Sequence, residues 1–132
     1  MKIRNGFVSN SSSSSFVVIK DSLTNKQKEM IYDYQSYVEF FKTIDEICID
    51  KFEYCDTDPW RIVDYNDFIF GETSMDNFSM QDFLDYIKVD PDSINWNEGY
   101  NDEPYQSQLD FITESKKKFR KKKLIKLKYK KY

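Results

Sequence analysis

The sequence predicts an α+β domain, about three helices packed on a small, mostly antiparallel sheet. Three observations carry this. Phe16-Val-Val-Ile19 is an unbroken, largely β-branched apolar run, the pattern of a strand covered on both faces. Met30, Ile31, Tyr34, Val38 and Phe41 recur at helical spacing behind Thr24-Asn-Lys-Gln27, which has capping-box spacing. The 132 residues suffice for one core, and eleven Phe and ten Tyr supply most of its burial.

Ile3 to Val8 and Phe16 to Lys20 read as two short strands around a polar loop, Ser9 to Ser15. Serine hydroxyls hydrogen-bond locally, so such a loop need not be floppy. Consecutive amides and hydroxyls of Ser11, Ser12, Ser13, Ser14 and Ser15 can line a concavity for a nucleotide or another small anion. The run lacks the glycines and the Lys-Ser/Thr end of a phosphate loop, and a solvated linker is the simpler reading.

A helix is expected from about Thr24 to Ile44. The alternation of Ile47 and Ile49 with Cys48 and Asp50 favours a strand over Ile47 to Tyr54, followed by a turn at Asp56-Thr-Asp-Pro59. Trp60 to Asp64 and Asp67 to Gly71 read as two strands joined at Tyr65-Asn66. Ser74 to Asp76 can cap a second helix, with Phe78, Phe83, Leu84 and Ile87 on its apolar face and Asp90-Pro91 at its end. Residues 90 to 104 are acidic, Asn-rich and turn-like. Pro104 opens a third helix, with Leu109, Phe111, Ile112 and Phe119 along it. Ile125, Leu127 and Tyr129 then alternate with Lys126, Lys128 and Lys130, a strand period with one lysine face. The N- and C-terminal strands are both expected in the sheet, so the basic segment 115–132 belongs to a single domain, 1–132.

Residue types exclude much chemistry. The chain has no His, hence no imidazole base, no Ser-His or Cys-His pair and no His ligand for zinc. Cys48 and Cys55 are too few for a four-thiolate site. With no signal-peptide pattern at the start, two reduced, packed thiols are expected. Asp56-Thr-Asp58, Asp64-Tyr-Asn-Asp67 and Asn95-Trp-Asn-Glu-Gly99 all miss the EF-hand register. No Rossmann, P-loop or nucleophile-elbow motif is present, and a glycosidase pair of acids lacks any cleft signature. The expectation is a protein without enzymatic activity, cofactor or metal. No segment approaches the roughly 18 apolar residues of a membrane span, so a soluble intracellular protein is expected.

Charge is divided along the chain. Residues 1 to 30 carry five basic and two acidic groups, residues 31 to 110 four basic and twenty acidic, and residues 111 to 132 eleven basic and one acidic. Either the basic end folds across the acidic body, or the two blocks serve different partners. An acidic surface offered to a nucleic-acid-binding partner is one form of the second case.

The opening, Gly6-Phe-Val-Ser-Asn-(Ser)5-Phe16, resembles that of a scattered group of small phage and bacterial proteins. These begin Met-(Lys/Arg)-Ile-Arg-Xaa-Gly-Phe-Val-Ser-Asn-Ser-Ser-Ser-Ser-Ser-Phe. The resemblance covers about the first 18 residues and implies no particular activity. The chain also has no Ala and is rich in Lys, Asn, Ile, Tyr, Phe and Asp, residues of AT-rich codons. Together these imply a phage of a low-GC Gram-positive bacterium.

The functional expectation is a phage-encoded accessory protein that binds and modulates a host protein in the host cytoplasm. The expected docking residues are Trp96, Glu98, Tyr100, Asp102 and Glu103, because aromatic anchors on loops carry binding. Folding back of Trp96 on the core is the structural alternative. A second functional reading is nucleic-acid binding through Lys116, Lys117, Lys118, Arg120, Lys121, Lys122 and Lys123, interleaved with Phe119. The acidic body repels that ligand, so binding has to be confined to one end. Ligand binding at the serine loop and a place in the virion are further alternatives.

Overall fold

β1 (Ser14–Ile19) is the strand around which the rest is arranged. In a computed structural model it lies inside a four-stranded sheet of order β2-β3-β1-β4, with β2 spanning Arg61–Asp64, β3 Phe68–Thr73 and β4 Ile94–Glu98. All three pairings are antiparallel. The structure describes residues 13–52, 60–74, 78–99 and 102–130, the last twelve of these as helix backbone alone. The expected Ile3–Val8 strand, the 56–59 turn and Cys55 lie outside the described residues.

Alternation in β1 sends its apolar run to two different cores. Phe16 and Val18 face one cluster, with Ile69, Trp60, Phe52, Phe78 and Phe83. Val17 and Ile19 face another, with Phe68, Phe70 and Ile112. The first side is covered by α1 (Asn25–Tyr32), α2 (Tyr34–Ile44), α3 (Glu46–Lys51) and α4 (Met80–Tyr86), the second by α5 (Gln106–Lys130). The class is α+β as predicted, with five helices among the described residues rather than about three.

The capping box forms as predicted. The Gln27 amide N–H donates to Thr24 Oγ1 at 3.0 Å, and the Thr24 N–H donates to Gln27 Oε1 at 2.9 Å. The single helix expected through Ile44 is instead divided at Asp33, whose backbone (φ −120°, ψ 45°) leaves the helical region. The break separates α1, which buries Ile31, from α2, which buries Tyr34 and Val38.

Three segments correct the sequence reading. The Ile47–Tyr54 strand is a helix over Glu46–Lys51: Asp45 caps it by accepting from the Ile47 N–H at 3.2 Å. The buried pair is Cys48 and Phe52, one turn apart, while Ile47 and Ile49 point outward. The 90–104 loop contains β4, which covers the open edge of β1 and satisfies its backbone groups. Asp90 starts a turn there by accepting from the Asp92 N–H at 3.0 Å. The strand expected over residues 125–129 is the end of α5. Lys, Leu and Arg are strong helix formers, and extending a formed helix costs less than recruiting a new strand.

The second helix is also shorter than expected. Ser79, not Ser74 to Asp76, caps α4 by accepting from the Asp82 N–H at 3.2 Å. The chain leaves this helix at Lys88, in the left-handed region (φ 67°), with the Val89 N–H donating back to the Leu84 carbonyl at 3.0 Å. α5 begins at Gln106, two residues beyond the expected Pro104.

Candidate functional site

The sequence-predicted docking residues separate in space. Trp96 sits in β4, half-buried, its ring packed on Phe16 and Trp60 with centroid separations of 5.2 and 6.3 Å. It is therefore mainly a core residue. Glu98 is exposed at the end of β4, and Asp102 and Glu103 are exposed beyond it. Arg61 Nη2 donates to the Asp102 carbonyl at 2.8 Å, tying this acidic turn to β2. Tyr100 lies outside the described residues.

The serine run is strand where it is described. Ser14 pairs opposite Thr73 and Glu98, and Ser15 opposite Glu72 and Asn97. Ser13 extends the pairing, its carbonyl accepting from the Gly99 N–H at 2.9 Å. The Ser15 hydroxyl is fully buried and accepts from Gln108 Nε2 at 3.2 Å. Ser13 to Ser15 thus belong to the sheet rather than to the polar loop read from the sequence, because their backbone groups bond the neighbouring strands. Ser11 and Ser12 lie outside the described residues.

Sheet register lines up a polar row under the start of α5: Arg61, Glu72, Ser15 and Asn97 stand opposite one another across four strands. Arg61 Nε donates to the buried Glu72 carboxylate. Gln108 joins the row to α5, since its Oε1 accepts from the Tyr105 N–H at 3.0 Å while Nε2 holds Ser15. Asn97 Nδ2 donates to Ser107 Oγ at 3.3 Å. No buried side-chain N or O among the described residues lacks a partner. The row is a structural seam and leaves no group aimed at a ligand.

Two of the carboxylates with loose cation-binding spacing, Asp64 and Asp67, are engaged by the chain's own groups. Asp64 bonds Lys20 and accepts from Tyr32 Oη at 2.7 Å. Lys20 and then Tyr32 hold its carboxyl below the ordinary range. Burial, then the bond to Asp64, pushes the Tyr32 phenol up to about 12. Asp67 takes Lys116 Nζ at 2.7 Å. No group of three or more His, Cys, Asp or Glu capable of holding a metal occurs among the described residues.

A different surface stands out on α2 and α3. Phe40 and Ile44 lie one turn apart on α2, and Ile47 follows across the Asp45 corner. They are 55, 63 and 62% exposed. The corner is tight: the Asp45 N–H donates to the Phe41 carbonyl at 2.9 Å, and Asp45 Oδ2 accepts from Tyr86 Oη at 2.9 Å. The Cys48 thiol and the Asp45 carboxylate hold the Tyr86 phenol well above its ordinary value. Residues 33 to 50 carry five carboxylates and one lysine. Glu39, Glu46 and Asp50 are all exposed, so the apolar side chains sit in an acidic field.

Sequence reasoning missed this surface. Phe40 and Ile44 lie beside the predicted core stripe, and the alternation around Ile47 reads as a strand. The available signal was that Cys48 and Phe52 also have helical spacing, which turns Ile47 outward.

The predicted basic residues all lie on α5. Lys116 reaches Asp67 at the β2–β3 turn, Lys117 pairs with Glu114 one turn back, and Lys118 is exposed. For Arg120, Lys121, Lys122 and Lys123 the helix backbone alone is described. No described helix is long and apolar enough to cross a membrane. Comparison of the chain with family models, curated proteins and solved structures finds no match.

Proposed function

We propose that this chain is a non-enzymatic binding protein that docks a host protein on the acidic, apolar surface of α2 and α3, in keeping with its phage-like opening. The observation that carries the reading is the exposure of Phe40, Ile44 and Ile47, each more than half open to solvent. Neighbouring large apolar side chains on a small soluble domain mark interaction surfaces. The acidic surroundings favour a partner with an apolar anchor flanked by Lys or Arg, which both speeds encounter and excludes acidic competitors. This moves the expected docking surface away from Trp96, which the core occupies, while leaving Glu98, Asp102 and Glu103 as a separate acidic turn.

The test is affinity capture from host lysate after nuclease treatment, run in parallel with F40S/I44S and with W96F/E98Q. The expected result is one protein recovered in stoichiometric amount by the wild type and by W96F/E98Q, lost with F40S/I44S, and binding the purified chain directly. Retention by F40S/I44S, or recovery of nothing, overturns the reading. Self-association of the wild type that F40S/I44S abolishes assigns the surface to a second copy, and also overturns it.

A further inference from the structure

We infer that the distal half of α5, residues 117–130, is a sequence-independent grip for the phosphate backbone of nucleic acid. The inference is independent of the α2–α3 surface. The helix begins against Ser15 and Asn97 at one end of the sheet, and Lys116 meets Asp67 at the β2–β3 turn at the other end. Fourteen helical residues follow. At about 1.5 Å per residue they run about 21 Å past that contact.

Charge along α5 is polarised at the same point. Asp110 and Glu114 are its only carboxylates, and both precede Lys116. Residues 117–130 hold nine Lys or Arg, five apolar or aromatic residues and no acid. Like charges recur at one-turn spacing, at 117 and 121, 118 and 122, 122 and 126, and 126 and 130. Such pairs repel and weaken a helix unless something neutralises them. Helices α1 to α4, with six of the chain's 23 carboxylates, cover the opposite face of the sheet from α5. Beyond Glu114 the helix carries no carboxylate, so repulsion by the acidic body is weakest along its distal residues.

The helical form also selects the ligand. At 100° per residue, positions 119, 124, 125, 127 and 129 are spread round the axis. The pattern therefore sets no apolar stripe of the kind that lies in a membrane or seats in a partner's groove, and basic positions fall between the apolar ones. A duplex presents one phosphate charge per about 1.7 Å of axis, so a 21 Å helix can meet about four to six of them.

The experiment uses the full chain and a fluorescein-labelled 20-base-pair DNA of arbitrary sequence, followed by anisotropy from 0.05 to 0.2 M NaCl. With four to six phosphate contacts, affinity is expected to fall about 10²- to 10³-fold across that range. R120Q/K121Q/K122Q/K123Q is expected to bind much more weakly and with a shallower salt dependence. R120K/K121R/K122R/K123R and F40S/I44S are expected to bind like the wild type. Unchanged thermal melting of the glutamine variant checks that its loss is not unfolding. Absence of saturable binding at 0.05 M, undiminished binding by the glutamine variant, or equal competition by polyglutamate overturns the inference. Tighter binding to vesicles of anionic lipid than to DNA overturns it in favour of a membrane surface.

Discussion

The ring of Phe16 lies against the Cα of Gly71, its direct partner across β1 and β3. A Cβ built on Gly71 would overlap Cε1 of that ring and stand 2.8 Å from Cζ. The ring fills the space a side chain would take and from there contacts both Trp60 and Trp96. Gly71 is required here by close approach, not by its backbone angles.

Gly71→Ala is therefore expected to destabilise the fold by about 1–3 kcal/mol, the range for overpacking a well-filled core. Phe16→Ala opens a cavity and is expected to cost about 3–5 kcal/mol. The double variant should cost less than the sum, because the added methyl enters vacated space. Urea denaturation of the four proteins measures this, and strict additivity would refute the packing account.

Gln108 and Ser15 are both fully buried and joined by one hydrogen bond. Gln108→Ala leaves the buried Ser15 hydroxyl without this partner, at a cost of about 1–3 kcal/mol, and removes the bond to the half-buried Tyr105 N–H. Hydrogen exchange should show faster opening at the start of α5, with β3 less affected.

Arg61 bonds a Glu72 side chain that is only 5% exposed, while its own is 48% exposed. Arg61→Met leaves that carboxylate uncompensated. The expected cost is about 2 kcal/mol, between an exposed pair at under about 1 and a buried one at about 3–5. Glu72→Gln restores part of the loss in the Arg61→Met background if the charge is the cause.

Asp64 is held below its ordinary value by Lys20 and Tyr32. Its contribution to stability is complete above the unfolded carboxylate value of about 3.9 and is lost as pH falls through the lower folded value. Tyr32 works in the other direction, since its folded value is raised to about 12. Its contribution is present below its ordinary value of about 10 and is lost as pH rises from there through 12. Tyr32→Phe should raise the Asp64 value in a carboxyl NMR titration and remove one phenol from the most alkaline end of an absorbance titration.

The Cys48 side chain is fully buried in the core beside Tyr86. In a Cys55→Ser background, its reaction with a thiol reagent is expected to follow global unfolding, slowing as stability rises. Fast stoichiometric labelling of the native protein would place it at the surface.

Local chemistry made some elements readable. Thr24 and Gln27 need only each other to start α1, and a β-branched run such as Phe16 to Ile19 favours a strand wherever it lies. The hairpin of β2 and β3 was legible for the same reason. Illegible elements depended on distant groups. Asn95 and Asn97 are poor strand formers, yet β4 forms because the open edge of β1 supplies partners. Ile125 to Tyr129 alternates like a strand, but the described neighbours of the sheet are already in place and the helix runs on.

The sequence by itself determined the α+β class, the two-sided strand at the centre, the start of α1 and the division of charge along the chain. Tertiary structure decided which apolar residues are core and which are surface. Trp96 closes over Phe16, Cys48 and Phe52 turn inward, and Phe40, Ile44 and Ile47 are left outside. It also decided that α5 and helices α1 to α4 occupy opposite faces of one sheet. The physical reason is that pattern fixes the period of an element, whereas burial and charge separation depend on what the rest of the chain packs against it.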